Sequence, residues 1–384
     1  MPNDLHDSDR PDKIKQAIDR LRVGLESNRK QRERELEDLA FQDPSGQWPK
    51  DQTGFREAQT ITMGGAIGTI TLPARPCLSI PVLEQPIQLN INQANAAHLG
   101  VTIHAITEDA TDETAEMLQG LYRAIEVDSH ANQARMWGFT RALLSGRGAY
   151  RVNTVYDENS PDPFDQKIVI ERLLYQESVV FDPFAEKPDW SDGNWAFVAR
   201  WYPWKEFQRA FPKSKLSGYA EDDLLEEMTL TPDWIRGDRE SRAVLVAEYW
   251  RVERSTNTIR RNGREREQDV PKVTVCKITA VDEVEAETPW NGRYIPLIPV
   301  IGRELIPFDH ERRWSGMIRP NKDAARLVNY AASNAVEIAA LETKAQFDVD
   351  PQEIQGYESF WAQANVRNFP YLPAKTVLRN GQPV

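Results

Sequence analysis

Gly316-Met317-Ile318-Arg319-Pro320-Asn321-Lys322-Asp323-Ala324-Ala325-Arg326-Leu327-Val328-Asn329-Tyr330-Ala331-Ala332-Ser333-Asn334-Ala335-Val336-Glu337-Ile338-Ala339-Ala340-Leu341-Glu342-Thr343-Lys344 is the stretch on which the reading of the chain turns. Pro320 is tolerated only in a first helical turn, so it marks a helix start. No further Gly or Pro interrupts before Pro351. From Lys322 to Thr343 a helix would run roughly 33 Å at ~1.5 Å per residue. One stripe holds Leu327, Ala331, Ala335, Ile338 and Glu342, and a neighbouring one Val328, Ala332, Val336 and Ala339. Small apolar stripes let backbones approach closely. Arg319, Lys322, Asp323, Arg326, Asn329 and Asn334 lie among them. That mixture suits a wall, with neighbours on two sides and water on a third. An ordinary Ala-rich core helix of a monomer has the same periodicity.

The chain is long enough for two or three domains. With 40% hydrophobic residues it supports real cores, while 28% charged residues and a mean hydropathy of -0.60 make its surface polar. Fifty-nine acidic residues against 47 basic ones give a net charge of -12. Such a balance excludes tight phosphate-driven nucleic-acid binding, though not guidance of a nucleic acid. Cys77 and Cys276 lie far apart, which argues against a disulfide framework and for a reducing setting. No apolar run of ~18 residues is present, so no membrane span is expected.

Asp12 to Gln42 reads as one helix, with Ile14, Ile18, Leu21, Leu25, Leu36 and Leu39 set in dense, balanced charge. Arg32, Glu33, Arg34, Glu35 and Glu37 are spaced for i,i+3 and i,i+4 pairs, which favours a solvated helix. Asp43-Pro44-Ser45-Gly46 ends it as a turn. Thr60 to Leu72 is Gly-rich without the Lys-Ser/Thr of a phosphate loop, and reads as strand or ordering loop. A helix near Val82 to Ala97 contains Pro86, predicting a late start or kink. Val101 to Ile106 alternates like a short strand. Thr111 to Ser145 reads as two helices or one bent one, capped at Thr111 or Asp112, with Met117, Leu118, Leu121, Tyr122 and Ile125 facing inward. Gly146-Arg147-Gly148 stops it.

Ala149 to Tyr156 and Lys167 to Arg172 predict a hairpin, and Trp195 to Trp201 another alternating strand. Glu221 to Met228 reads as an acidic helix. Ala243 to Val252 is a strand, and Asn262-Gly263 signals a hairpin turn. Around that turn Arg260, Arg261, Arg264 and Arg266 form a basic cluster, open to nucleic-acid contact, protein docking or simple solvation. Val270 to Val284 and Arg293 to Gly302 continue as extended chain. After the long helix, a further helix is expected from about Gln352 to Ala364.

Chemistry is sparse. Asp182, Glu186, Asp189 and Asp192 crowd one loop, and a metal-dependent nuclease is the sharpest enzymatic alternative. Their spacing is not that of a Ca²⁺ loop, and two prolines with capping Asp and Ser explain the composition as a tight turn. No histidine has metal spacing, and G-x-S-x-G, H-E-x-x-H and CxxC are absent from the sequence. The expectation is a non-enzymatic α+β protein with no cofactor and no metal.

Several blocks, in order, match a known family. They are Leu36-Glu37-Asp38-Leu39-Ala40-Phe41 with Gln47-Trp48-Pro49, Arg75-Pro76-Cys77-Leu78-Ser79-Ile80, and Ala115 to Arg123 running to Asp128-Ser129. Gly146 to Val152, Asp182-Pro183 with Asp189-Trp190-Ser191-Asp192, and Gly316-Met317-Ile318-Arg319 with Lys322-Asp323 complete them. Their order and spacing resemble the portal proteins of tailed bacteriophages, most closely the short-tailed-phage branch. Pro81-Val82-Leu83 and Pro320 depart from the pattern locally.

The resemblance implies a ring, usually of twelve copies, at one capsid vertex of the virion. Double-stranded DNA would enter and leave through its channel. The partners implied are terminase large subunit, head-completion or tail adaptor proteins, and the major capsid and scaffolding proteins. On that plan 1–60 is an N-terminal helix and arm, 61–220 a wing, 221–243 a first stem segment, 244–310 a β-rich clip, 311–346 the long stem helix, and 347–384 a truncated return into the wing. Arg319, Lys322 and Arg326 become channel candidates for DNA. Arg260, Arg261, Arg264 and Arg266 become clip candidates for partner docking, and Leu327, Ala331, Ala335 and Ile338 subunit-packing candidates.

Overall fold

The computed structural model describes residues 12–49, 59–63, 68–72, 75–97, 100–106, 110–214, 243–261, 264–279, 282–305, 312–341, 351–364, 370–375, 378–379 and 382–383. The expected acidic helix at Glu221 to Met228, the hairpin turn Asn262-Gly263 and the end of the long helix beyond Leu341 lie outside the described residues. The chain is mixed α and β and divides into two units, 1–42 with 83–320, and 43–82 with 321–384.

The smaller unit contains an antiparallel hairpin, β1 (Gln59–Met63) with β2 (Gly68–Leu72). It also holds most of the long helix, Ile318–Leu341. Pro320 sits in that helix's first turn, as its missing N–H requires. The helix expected over 352–364 shrinks to Glu358–Ala362, because turns occupy 351–356.

In the larger unit, α1 runs over Asp12–Gln42. Its buried Ala17, Leu21 and Leu25 pack on Val180, Trp195, Phe197 and Tyr249. Gly24 permits this closeness, since a Cβ there would stand 2.6 Å from Val180 and 2.8 Å from Trp195. Three more helices follow: α2 (Glu84–Ala96), α3 (Asp112–Asp128) and α4 (Ala131–Ser145). Pro86 falls in the first turn of α2, so it causes no interruption. Thr111 caps α3 by accepting from Thr114 N–H at 3.2 Å. His130, at φ 49°, separates α3 from α4.

The three-stranded sheet joins β3 (Arg147–Tyr156), β4 (Gln166–Arg172) and β10 (Leu297–Ile301), with β3 central. The five-stranded sheet runs in order β5 (Val179–Phe181), β6 (Trp195–Pro203), β7 (Ala243–Arg261), β8 (Arg264–Ile278) and β9 (Glu283–Trp290), antiparallel throughout. It therefore unites strands from the stretches expected as wing and as clip. A helix α5 (Trp204–Ala210) follows β6 and buries Phe207. A short pair, β11 (Arg303–Leu305) with β12 (Arg313–Ser315), leads into the long helix.

Both faces of the five-stranded sheet are covered. From β6, Trp195, Phe197 and Ala199 face α1, while Ala196 and Val198 join Trp250, Val273 and Leu297 on the other side. This is why its first five residues are all buried rather than alternating. Phe197 stacks on Tyr249 at 4.7 Å and 11°. Each fully buried side chain of this size contributes about 1.5–3 kcal/mol. Cys276 lies in the same core, and burial pushes its thiol up to about 11. It and Cys77 are free thiols.

Two expectations are corrected. Val101 to Ile106 is in no sheet; the Gln119 amide takes its backbone groups instead, accepting from Ile103 N–H and donating to Val101 C=O, both at 2.7 Å. On α3, Met117 (68% exposed), Leu118 and Leu121 face outward, and only Ala115 is buried. The expected face is split: Tyr122 and Ile125 are half-buried, with Ile125 packed on Ala131, Ala134 and Ile170, while the Met117–Leu121 side is open.

Gly146 ends α4 at φ 102°, a conformation that disfavours any side chain. A Cβ on Gly148 would stand 2.0 Å from the Gly138 carbonyl oxygen, where α4 crosses β3. Gly148→Ala should therefore destabilise the protein by about 1–3 kcal/mol or more, read from its urea midpoint.

Lys13 of α1 clamps β9, with 2.9 Å pairs to both Glu283 and Glu287, and Arg251 adds another 2.9 Å contact to Glu287. Burial pushes the Glu287 carboxyl up, but the Thr274 hydroxyl, Lys13 and Arg251 together outweigh it and bring it down from 4.5 to about 2. A depressed carboxyl stabilises above its unfolded value, and that stability is lost as pH falls through the folded value. Glu287→Gln should thus be less stable than wild type at about pH 5, and the gap should narrow by about pH 3 in urea titrations.

Candidate functional site

The buried face of α1 continues past Leu25 as Gln31, Glu35 and Asp38, spaced four and three residues apart. Gln31 and Asp38 continue the seven-residue steps of Ala17 and Gly24, and Glu35 those of Leu21, while exchanging hydrocarbon for polar groups. Glu35 is 1% exposed. Its Oε2 accepts from Arg147 Nη2 at 3.2 Å, and its Oε1 accepts from Gln31 Nε2 at 3.3 Å and from the Trp314 indole N–H. Gln31 also donates to the Trp314 carbonyl at 2.8 Å. Arg319 then closes the network. It donates from Nε to Asp38 Oδ2 at 2.9 Å, and from Nη1 to Gln31 at 3.3 Å and to the Trp314 carbonyl at 2.8 Å. The expectation that Glu35 sits in solvent with local partners is overturned. Its partner Arg147 is 112 residues away and buried with it.

Within the smaller unit the long helix is inverted. Lys322, Ala325, Asn329 and Ser333 are its buried residues. Asn329 donates to Gln47 and accepts from Ile80 N–H, both at 2.8 Å, and Ser333 Oγ accepts from Leu78 N–H at 2.9 Å. Tyr330 meets Trp48 edge-on at 4.7 Å, and Glu337 pairs with Arg75 at 3.4 Å. The helix thus supplies side-chain partners to an irregular segment, 75–80, in place of a strand. Its aliphatic residues point away. Leu327 is 69% and Ile338 65% exposed, and Ala331 and Ala335 are exposed beside them.

The structure brings the four subunit-packing candidates, Leu327, Ala331, Ala335 and Ile338, onto one open face. The channel candidates are placed differently. Arg319 is engaged by Asp38 and Gln31, Lys322 is buried, and Arg326 is half-buried beside Asp323 at 3.7 Å. Arg260, Arg261, Arg264 and Arg266 occupy the ends of β7 and β8, with Arg261 opposite Arg264 and Ile259 opposite Arg266. Their side chains lie outside the described residues.

The carboxylates of the 182–192 loop hold the loop itself. Asp182, 2% exposed, accepts from Phe184 N–H at 3.1 Å and Asn194 N–H at 3.0 Å. Asp192 accepts from Glu186 N–H at 2.8 Å and from Lys187 N–H, and Asp189 from Ser191 N–H at 3.1 Å. The Ser191 hydrogen bond keeps Asp189 below the usual carboxylate range. Burial alone would raise Asp192, but its two backbone donors lower it. Among the described residues no group of His, Cys, Asp or Glu is arranged to hold a metal ion. No helix there is long and apolar enough to cross a membrane.

The long helix thus commits polar side chains inward and turns aliphatic ones outward, on a chain whose larger unit keeps an apolar core. The sequence model of the Phage P22-like portal protein family matches residues 18–384, and the chain belongs to that family. It is 26% identical over 303 residues to the portal protein of Acyrthosiphon pisum secondary endosymbiont phage 1, an alignment covering 70% of this chain and 41% of that relative. The chain thus matches about two fifths of the relative's length.

Removing Glu35 would leave the Arg147 guanidinium buried without its carboxylate. Glu35→Ala should cost about 3–5 kcal/mol, measured by urea unfolding.

Proposed function

We propose that this chain is a subunit of a ring, of twelve copies on the family pattern, that forms the portal at one capsid vertex. Double-stranded DNA passes through the ring during packaging and ejection. The observation that carries this reading is the inverted long helix. An aliphatic face made of Leu327, Ala331, Ala335 and Ile338 is costly to leave in water, and small residues on it suit a second helix at close approach. The same face on identical copies, set side by side, closes a ring around an aqueous bore. The chain's net charge of -12 fits a conduit, because a strongly basic wall would retain DNA.

On this reading the stem includes the long helix, and the β7–β8 hairpin belongs to the clip. Arg260, Arg261, Arg264 and Arg266 are there the docking candidates for terminase large subunit and then for head-completion or tail adaptor proteins. The wing side meets the major capsid and scaffolding proteins. Of the three cations proposed for DNA contact, Arg319 is the least suited, since Asp38 and Gln31 already hold it; Arg326 keeps the most open position. The protein performs no catalysis of its own. Commitment of Asp182, Asp189 and Asp192 to loop N–H groups supports that reading over a metal-dependent nuclease.

The test uses the full-length chain. Wild type should form rings by native mass measurement and negative-stain imaging. Leu327→Glu with Ile338→Glu should leave monomers with unchanged far-UV circular dichroism. Rings that persist in this variant would exclude the face as the subunit contact, and a wild type without rings would overturn the proposal.

A further inference from the structure

We infer that a recess in the larger unit is a binding site for a phosphate-bearing ligand the size of a nucleotide. The recess encloses about 530 Å³, within the roughly 300–1,000 Å³ typical of small-molecule sites. Arg29, Lys30 and Arg34 line it from α1, and Arg147, Arg312 and Arg313 from the other side. Among the described lining residues Glu26 is the one carboxylate. Three of the six cations are paired with carboxylates at its edge, Arg29 with Glu33 at 3.9 Å, Arg147 with Glu35 at 3.2 Å and Arg312 with Glu304 at 3.0 Å, which leaves the recess modestly basic in a chain carrying -12 overall.

Two of the cations are held in fixed positions. Glu35 holds Arg147 at 3.2 Å. Arg312 donates to Glu304 at 3.0 Å and to the Ala185 carbonyl at 2.7 Å. Arg147 is itself buried on Glu35, so Arg312 is the fixed fork within reach of a phosphate oxygen, and a fixed fork loses little freedom on binding.

The wall between them is aromatic. Arg312 lies 5.0 Å from the Trp190 ring centroid, and Trp190 meets Trp314 edge-on at 6.0 Å and Phe181 at 5.3 Å. Phe181 and Trp314 are themselves buried, so the half-buried Trp190 with Arg312 over its ring is the plane on which a nucleobase can stack. An acidic peptide would satisfy the cations but has no flat ring for this wall, so the combination favours a nucleotide. A free nucleotide and the terminal nucleotide of a nucleic-acid strand present the same phosphate and base.

Calorimetric titration of the full-length protein separates these cases. The probes are ADP, pyrophosphate, a short 5′-phosphorylated single-stranded oligonucleotide, and tetra-aspartate. Saturable ADP or oligonucleotide binding, tighter than pyrophosphate and weakened by salt, is expected. ADP binding as tightly as the oligonucleotide identifies a free nucleotide as the ligand, and a much tighter oligonucleotide identifies a strand end. Arg29→Ala and Arg34→Ala should each bind roughly tenfold or more weakly, as loss of one charge-assisted hydrogen bond dictates. Both residues are exposed on α1 and outside the Glu35 network, so their unfolding midpoints should match wild type. The inference is overturned by absence of saturable binding to every phosphate probe, by tetra-aspartate binding as tightly as ADP, or by unchanged affinity in both variants.

Discussion

A carboxylate taken fully out of water is the constraint around which α1 is arranged. Burying Glu35 costs several kcal/mol of lost hydration unless donors surround it. Arg147, Gln31 and the Trp314 indole supply those donors, each from a different part of the chain. The Gln31 amide is used in both directions, donating to Glu35 and to Trp314 and accepting from Arg319. The start of β3, the strand β12 and the residues just after it are thereby fixed to one helical turn of α1. An apolar contact at the same place would tolerate sliding. A network of directed hydrogen bonds admits one register, at the expense of being intolerant to loss of any member.

The long helix obeys the same logic in the smaller unit. Its inward side is chosen for hydrogen-bonding geometry rather than hydrophobicity, since Asn329 and Ser333 must complete backbone groups at Ile80 and Leu78. That choice leaves the aliphatic side chains for the other flank. In a solitary chain this is an inefficient use of Leu and Ile. In a symmetric assembly it separates two tasks, with polar side chains defining the subunit and apolar ones associating it.

Much of the local structure was legible from sequence because it depends on local chemistry. The bounds of α1, the Thr111 cap, the Gly146 stop and the strands flanking Asn262-Gly263 all follow from short-range rules. What escaped depends on partners distant in sequence. Met117, Leu118 and Leu121 share a helical face, but periodicity does not say on which side the core lies. The buried stripe of α1 runs on through Gln31, Glu35 and Asp38, whereas hydrophobicity points to Leu36 and Leu39, which are only half-buried. The signal was the unbroken spacing itself. Val101 to Ile106 has strand-like alternation, but the Gln119 side chain removed its need for a neighbouring strand. Leu327, Ala331, Ala335 and Ile338 do share an open face, whereas the cations near the helix start are engaged by acids or buried.

The β7–β8 pair has a mechanical corollary. Its ladder is continuous from Ala247–Ile278 to Arg261–Arg264, but β6 accompanies it only as far as Arg251 and β9 only as far as Val273. Beyond that point, among the described residues, the two strands pair only with each other for about nine residues, roughly 30 Å at ~3.4 Å each. A lone ribbon coils more tightly than a broad sheet and resists torsion poorly. Pro271, opposite Arg254 near its root, removes one ladder donor where bending stress would concentrate. The paired ends of β7 and β8 therefore form a more compliant ribbon than the five-stranded part of the sheet behind them.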